Sequence, residues 1–192
     1  MVGTRERIVE ASSALFSRQG FASTGVKQIV EQANAPFGSV YHFFPGGKEQ
    51  IGEEVVRWSG AQYLQLIALI FDAAPDVATG TNNFFLGAAR TVEESDYADA
   101  CPIATLALEV ASTNDTLRQA TADAFDSWVA EVTRRYIAAG LGRRRARALA
   151  EMAFCSLEGA FLLSRATRDV TSIKTAGRFV SGAVRDELRR RG

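Results

Sequence analysis

The chain has 192 residues, 47% hydrophobic and 23% charged, with 22 basic side chains balancing 22 acidic ones. This is an ordinary globular composition, long enough for a sizeable core, and it excludes a strongly basic surface of the kind that coats nucleic acid by charge alone. Two widely separated cysteines, Cys101 and Cys155, have no metal-like spacing and point to a reducing, cytoplasmic setting. No stretch approaches the roughly 18 apolar residues of a membrane span, and no apolar signal core opens the chain.

Only four prolines occur, so long helices are permitted, and periodicity predicts an all-α chain of about nine helices. The first runs from about Thr4 to Gly20, with Ile8, Ala11 and Leu15 on one face, Thr4 as a starting cap and Gly20 as the stop. The second spans about Gly25 to Ala33, with Thr24 as N-cap and Val26, Ile29 and Val30 buried. Pro36 breaks it and suits the first turn of a short third helix ending near Phe43. Pro45-Gly46-Gly47 is a turn by composition, and a long fourth helix follows from Lys48 to about Ala73. Five more are expected near Val77–Ser95, Cys101–Ala111, Asp115–Ala139, Arg144–Thr167 and Thr171–Arg190.

Two short helices joined by a tight turn, preceded by a third, form a helix-turn-helix pattern. The second helix of such a pair enters the major groove, where each base pair presents a distinct set of donors and acceptors. It therefore needs apolar anchors on one side, here Val40 and Phe43, and polar or small residues on the other. Phe37, Gly38, Ser39, Tyr41 and His42 are left for that outer side, with Tyr41 and His42 able to donate to phosphates. Lys48 falls at the N-terminus of the fourth helix, where free N–H groups and the helix dipole also favour phosphate. The first 48 residues carry an excess of only two positive charges, so the case for DNA rests on this motif.

The segment from Gly20 to Val30, and the run Gly38-Ser39-Val40-Tyr41-His42-Phe43-Phe44-Pro45-Gly46-Gly47-Lys48-Glu49, resemble the helix-turn-helix of the TetR family of bacterial transcription regulators. The Phe-Pro-Gly-Gly-Lys-Glu form and Ala100-Cys101-Pro102-Ile103-Ala104 are similar to its LmrA/YxaF-like branch. The resemblance implies a DNA-binding part at residues 1–50 and a helical ligand-binding and dimerisation part at 51–192. It places Thr24 and Lys27 at the DNA-facing entry to the second helix, and Gly38 and Ser39 at the groove-facing start of the third. Tyr41, His42 and Lys48 fall where phosphate contacts are made. Gly25 and Phe37 depart from the pattern, since a hydroxyl residue and a polar residue are common at those places.

The family also implies a cavity among the later helices that admits a small-molecule inducer. Phe84, Phe85, Phe125, Trp128 and Phe154 supply aromatic surface, with Thr105 and Ser156 as polar edges; this suits a largely apolar aromatic molecule. The same aromatic residues also read as ordinary helical core. Glu109, Asp126 and Glu158 are the acidic candidates for inward-facing charge. The last two helices carry apolar stripes and small residues, among them Ala176, Gly177 and Gly182, that suit a homodimer face, with Leu157, Phe161, Val180 and Val184 as its expected contacts.

Other chemistry finds few parts. Gly46-Gly47-Lys48 is no phosphate loop, because His42 and Glu49 stand where glycine and Ser or Thr are needed. With one histidine, acid–base and metal constellations are incomplete, so no catalytic residue, metal or cofactor is expected. Arg143, Arg144, Arg145 and Arg147 read as a solvated helix start, and Arg189, Arg190 and Arg191 as charges complementing a helix end. The expected function is a ligand-responsive repressor binding operator DNA. A helical-cavity enzyme and an interaction module without DNA binding stand as alternatives.

Overall fold

The computed structural model describes residues 3–190, and these form nine α-helices: α1 (Thr4–Gln19), α2 (Val26–Gln32), α3 (Gly38–Phe43), α4 (Gly47–Asp72), α5 (Val77–Glu94), α6 (Pro102–Val110), α7 (Asp115–Ala138), α8 (Arg143–Thr167) and α9 (Thr171–Arg189). The expected order and number hold, with ends within a residue or two. Arg191 lies outside the described residues.

The helix ends follow local chemistry. Gly20 stops α1 at φ +88°, a conformation costly for any residue with a Cβ. Asp76 caps α5 by accepting from the Thr79 N–H at 2.8 Å, and Cys101 Sγ takes the same place for α6, with Pro102 following in the first turn. Two expectations change. Gly25, not Thr24, is the N-cap of α2; its N–H donates to the Gln28 side chain at 2.8 Å, while the Thr24 hydroxyl donates to the Gly20 carbonyl at 2.6 Å. Pro36 precedes α3 rather than entering it, and its carbonyl accepts from the Ser39 N–H.

The helices pack as two compact units that no single cut along the chain separates. One comprises residues up to Gln62 together with Ala100–Phe125. Its core includes Ile8, Phe16, Ile29, Val40, Phe44 and Ile51, all fully buried. Here α6 packs on α1, and Gly52 lets α4 pass close beneath Phe21 and Leu117. The other unit comprises Tyr63–Asp99 and Asp126–Gly192, so α4 and α7 each contribute to both. Its main seams are α5 on α9 and α8 on α9.

Gly177 of α9 is buried against Phe85 of α5, so closely that a Cβ at Gly177 would stand 2.6 Å from the Phe85 Cβ. The small residue expected to serve a partner subunit therefore serves the chain's own core. Nearby, the fully buried Tyr136 hydroxyl shares a 2.7 Å hydrogen bond with Thr81, and burial pushes its phenol up to about 12. The link after α5 is held by Arg165 of α8, which donates to the carbonyls of Tyr97 and Ala98. Among the described residues no helix is long and apolar enough to cross a membrane.

Candidate nucleic-acid interface and aromatic cluster

The turn between α2 and α3 is fixed from below. Val30, Ala33 and Val40 are buried, and Asn34 takes the left-handed conformation that lets the chain reverse. Arg7 donates to the carbonyls of Ala33 and Asn34 at 3.0 and 3.3 Å, satisfying acceptors that the end of α2 leaves open. Arg5 pairs with Glu54 at 2.8 Å and lies over the Phe44 ring. Both arginines of the first turn of α1 are thus engaged in holding the unit together.

What remains outward is small and weakly charged. Gly38 and His42 are exposed, Ser39 is half-buried, and Tyr41 is 55% exposed. Phe37 is 53% exposed and leans on Tyr41, ring to ring at 5.9 Å, so the face it presents is apolar and aromatic. Lys27 is well exposed, with only a loose 3.9 Å pairing to Glu31. The buried anchor is Phe44 beside Val40; Phe43, expected to anchor, is half-exposed against His42.

Two residues expected at the DNA face point elsewhere. Thr24 is buried, its hydroxyl on Gly20. Lys48 lies over the Phe21 ring at 4.6 Å and donates to the carbonyls of Phe21, Ala22 and Thr24 at 3.1, 3.4 and 3.2 Å. An ammonium has three donors, and here all three find backbone acceptors. In this structure the amine therefore lies on the α1–α2 turn and does not face outward. The same turn is met by Glu109 of α6, whose carboxylate accepts from the N–H groups of Phe21 and Ala22 at 2.9 and 2.6 Å. Sequence reasoning treated Glu109 only as a possible inward charge; the available signal was that it is the sole charged residue of α6.

In the other unit, Phe84, Trp128 and Phe154 come together. Trp128 stacks on Phe154 at 5.9 Å, Phe84 meets Phe154 edge-on at 5.9 Å, and Phe85 touches Phe84 at 6.2 Å. Tyr63 of α4, which was not among the expected ligand residues, joins edge-on to Trp128 at 5.5 Å. Ser156 is half-buried on α8. Thr105 and Phe125 belong to the first unit, and the Thr105 hydroxyl donates to the Cys101 carbonyl. The rings sit at ordinary aromatic contact distances and form core in this state.

Of the residues expected at a partner face, Leu157, Val180 and Val184 are buried in their own chain and Phe161 is half-buried. The large apolar residues of α8 and α9 that are exposed are Met152, Leu162, Leu163 and Phe179, with Cys155 also exposed.

Residues 8–55 match the family profile of bacterial regulatory proteins of the tetR family, and residues 77–179 match that of the C-terminal domain of LmrA/YxaF-like transcriptional regulators. The helix-turn-helix transcriptional regulator YxaF of Bacillus subtilis is 32% identical over 88% of this chain and 89% of its own length. LmrA of the same organism is 30% identical over 97% of each. Among solved structures, a TetR transcriptional regulator from Legionella pneumophila superposes with a TM-score of 0.86 at 20% identity, covering 95% of this chain and 98% of that one. A regulatory protein TetR from Rhodobacter sphaeroides gives 0.84 at 21% identity, over 93% and 97%.

Proposed function

The chain belongs to the TetR family of bacterial transcription regulators, with an LmrA/YxaF-like C-terminal part, and from that premise we propose that it is a cytosolic, dimeric repressor released from a pseudo-palindromic operator by a small, largely apolar aromatic molecule. It is a regulator and not an enzyme. In this reading residues 1–50 are the reading head and 51–192 the ligand and dimer part. The observation that carries it is α3, anchored by buried Val40 and Phe44 while Phe37, Gly38, Tyr41 and His42 face outward. Gel shift and footprinting on the DNA upstream of its own gene test it. A protected, two-fold symmetric site with half-sites about one helical turn, or a multiple of it, apart is the expected result. An asymmetric footprint, or no retention, counts against it.

The dimer is supported by a stripe on α8, where Met152, Cys155, Gly159 and Leu162–Leu163 recur at helical spacing and are exposed. On α9, Phe179 is 78% exposed. Apolar surface of this kind needs a partner. Phe179→Glu and Leu162→Arg together are expected to turn a dimer into a monomer in sedimentation at micromolar concentration while helix content stays unchanged. A variant that stays dimeric moves the interface elsewhere.

For the inducer, the supporting feature is the ring cluster of Tyr63, Phe84, Trp128 and Phe154. A planar, uncharged aromatic that enters between these rings exchanges one stacking partner for another. Tyr63 and Lys48 are both carried by α4, so parting Tyr63 from Trp128 acts on the helix that also reaches the α1–α2 turn. Linkage requires such a ligand to prefer the DNA-incompetent form, typically by about 1–3 kcal/mol. A thermal-shift screen of uncharged aromatics should find compounds that stabilise the protein by about 2.7 kcal/mol at a hundredfold excess over Kd. The same compounds should release DNA over that concentration range. Stabilisers that leave DNA affinity untouched would separate the cluster from the switch.

A further inference from the structure

The turn between α1 and α2 is gripped on both sides by opposite charges. On the N–H side, one carboxylate, that of Glu109, accepts from Phe21 and Ala22 at 2.9 and 2.6 Å. On the carbonyl side, the Lys48 amine donates to Phe21, Ala22 and Thr24. Charge-assisted bonds of this kind are roughly twice as strong as neutral ones. The fit is close: a Cβ at Gly20 would stand against the Glu109 carboxylate oxygen. The turn then feeds directly into α2 through Thr24, whose hydroxyl returns to the Gly20 carbonyl, and through the Gly25 cap. Glu109 itself lies 88 and 87 residues further along the chain than its two N–H donors, on α6, a helix whose other residues are uncharged.

The geometry points to Glu109 as a positioning residue for DNA recognition, holding from α6 the turn that sets where α2 begins and, behind it, how α3 is presented. This rests on the reading of α2 and α3 as the DNA-reading pair. Glu109 touches no DNA in this scheme. Its loss lets water take over the two N–H groups, so the fold survives while the turn gains freedom, and operator affinity bears the cost.

The test is Glu109→Gln in the full chain, which keeps size and removes the charge. Three measurements are made beside wild type: hydrogen exchange of the Phe21 and Ala22 amides, exchange of core amides such as Ile8 and Ile51, and affinity for a DNA fragment spanning its own promoter across a salt series. The expected result is faster exchange at Phe21 and Ala22 alone, and a dissociation constant raised about tenfold, the equivalent of one charge-assisted hydrogen bond. The slope of log K against log salt should not change, because no phosphate contact is lost. Fast turn amides with wild-type affinity overturn the positioning role. Turn amides as protected as in wild type overturn the clasp itself, and general loss of core protection reduces Glu109 to a stability role. If the Gln variant does not fold, Glu109→Asp, which keeps the charge but withdraws it by one methylene, is read in the same way. A wild-type chain that binds no promoter DNA fails the DNA reading and this inference with it, and the wild-type arm tells that outcome apart.

Discussion

Raising monovalent salt from about 50 to about 200 mM is expected to weaken operator binding by about tenfold. The expectation comes from which cations are free to meet phosphate. Arg5 pairs with Glu54, Arg7 caps the end of α2, and Lys48 sits on the α1–α2 turn. Lys27, Tyr41 and His42 remain on the outer side. Of these, Lys27 supplies the cation, while Tyr41 and His42 can only add hydrogen bonds; over the two subunits of the proposed dimer this amounts to about two phosphates neutralised, each contributing about −0.9 to the slope of log K against log salt. Lys48→Ala then separates two roles. If the amine holds the turn, affinity falls at every salt concentration and the slope stays as it was. If it reaches phosphate in the complex, the slope becomes shallower by about one for each lysine removed. A wild-type slope near zero would remove the phosphate contacts altogether. Binding in that case would rest on base contacts alone, and the exposed Phe37–Tyr41 pair would be the first place to look.

Phe85→Ala is expected to cost about 3–5 kcal/mol of stability, the usual range for a phenylalanine removed from a closed core. Phe85 is fully buried, meets Phe84 on its own helix, and lies where Gly177 brings α9 against α5. For a chain of this length that is a fall in Tm of roughly 6–20 °C. Gly177→Ala tests the same seam from the other side. Alanine favours a helix by about 1 kcal/mol over glycine. The added methyl group, however, would meet the Phe85 Cβ at 2.6 Å, an atom fixed to the backbone and unable to swing away. Overpacking of that kind costs about 1–3 kcal/mol, so a net loss is expected. Thermal and denaturant unfolding measure both variants. A stabilised Gly177→Ala, or a Phe85→Ala within about 0.5 kcal/mol of wild type (the usual size of a surface change), would mean that α5 and α9 meet less closely than this.

Helix periodicity, the caps and the breaks at Pro36 and Pro45 determined the all-α class, the order of the nine described helices and the position of the helix-turn-helix. These are local properties: a 3.6-residue repeat, a glycine at positive φ or a proline without an N–H acts on its own neighbourhood whatever the rest of the chain does. The outward set on α3 was legible for the same reason, since Val40 and Tyr41 must face different ways on one helix. Which neighbour each side chain meets was not legible. Lys48 at a helix start reads as a phosphate ligand until the α1–α2 turn offers it three carbonyls. Glu109 has no partner within its own helix, and its two N–H donors lie 88 and 87 residues away. Leu157, Val180 and Val184 satisfy an apolar stripe equally well facing a partner or facing their own core. Only the packing of α5, α8 and α9 turned them inward and left Phe179 outside. Periodicity records which residues avoid water, whereas the surface that shields them is chosen by contacts between distant segments, and those exist only once the chain has folded.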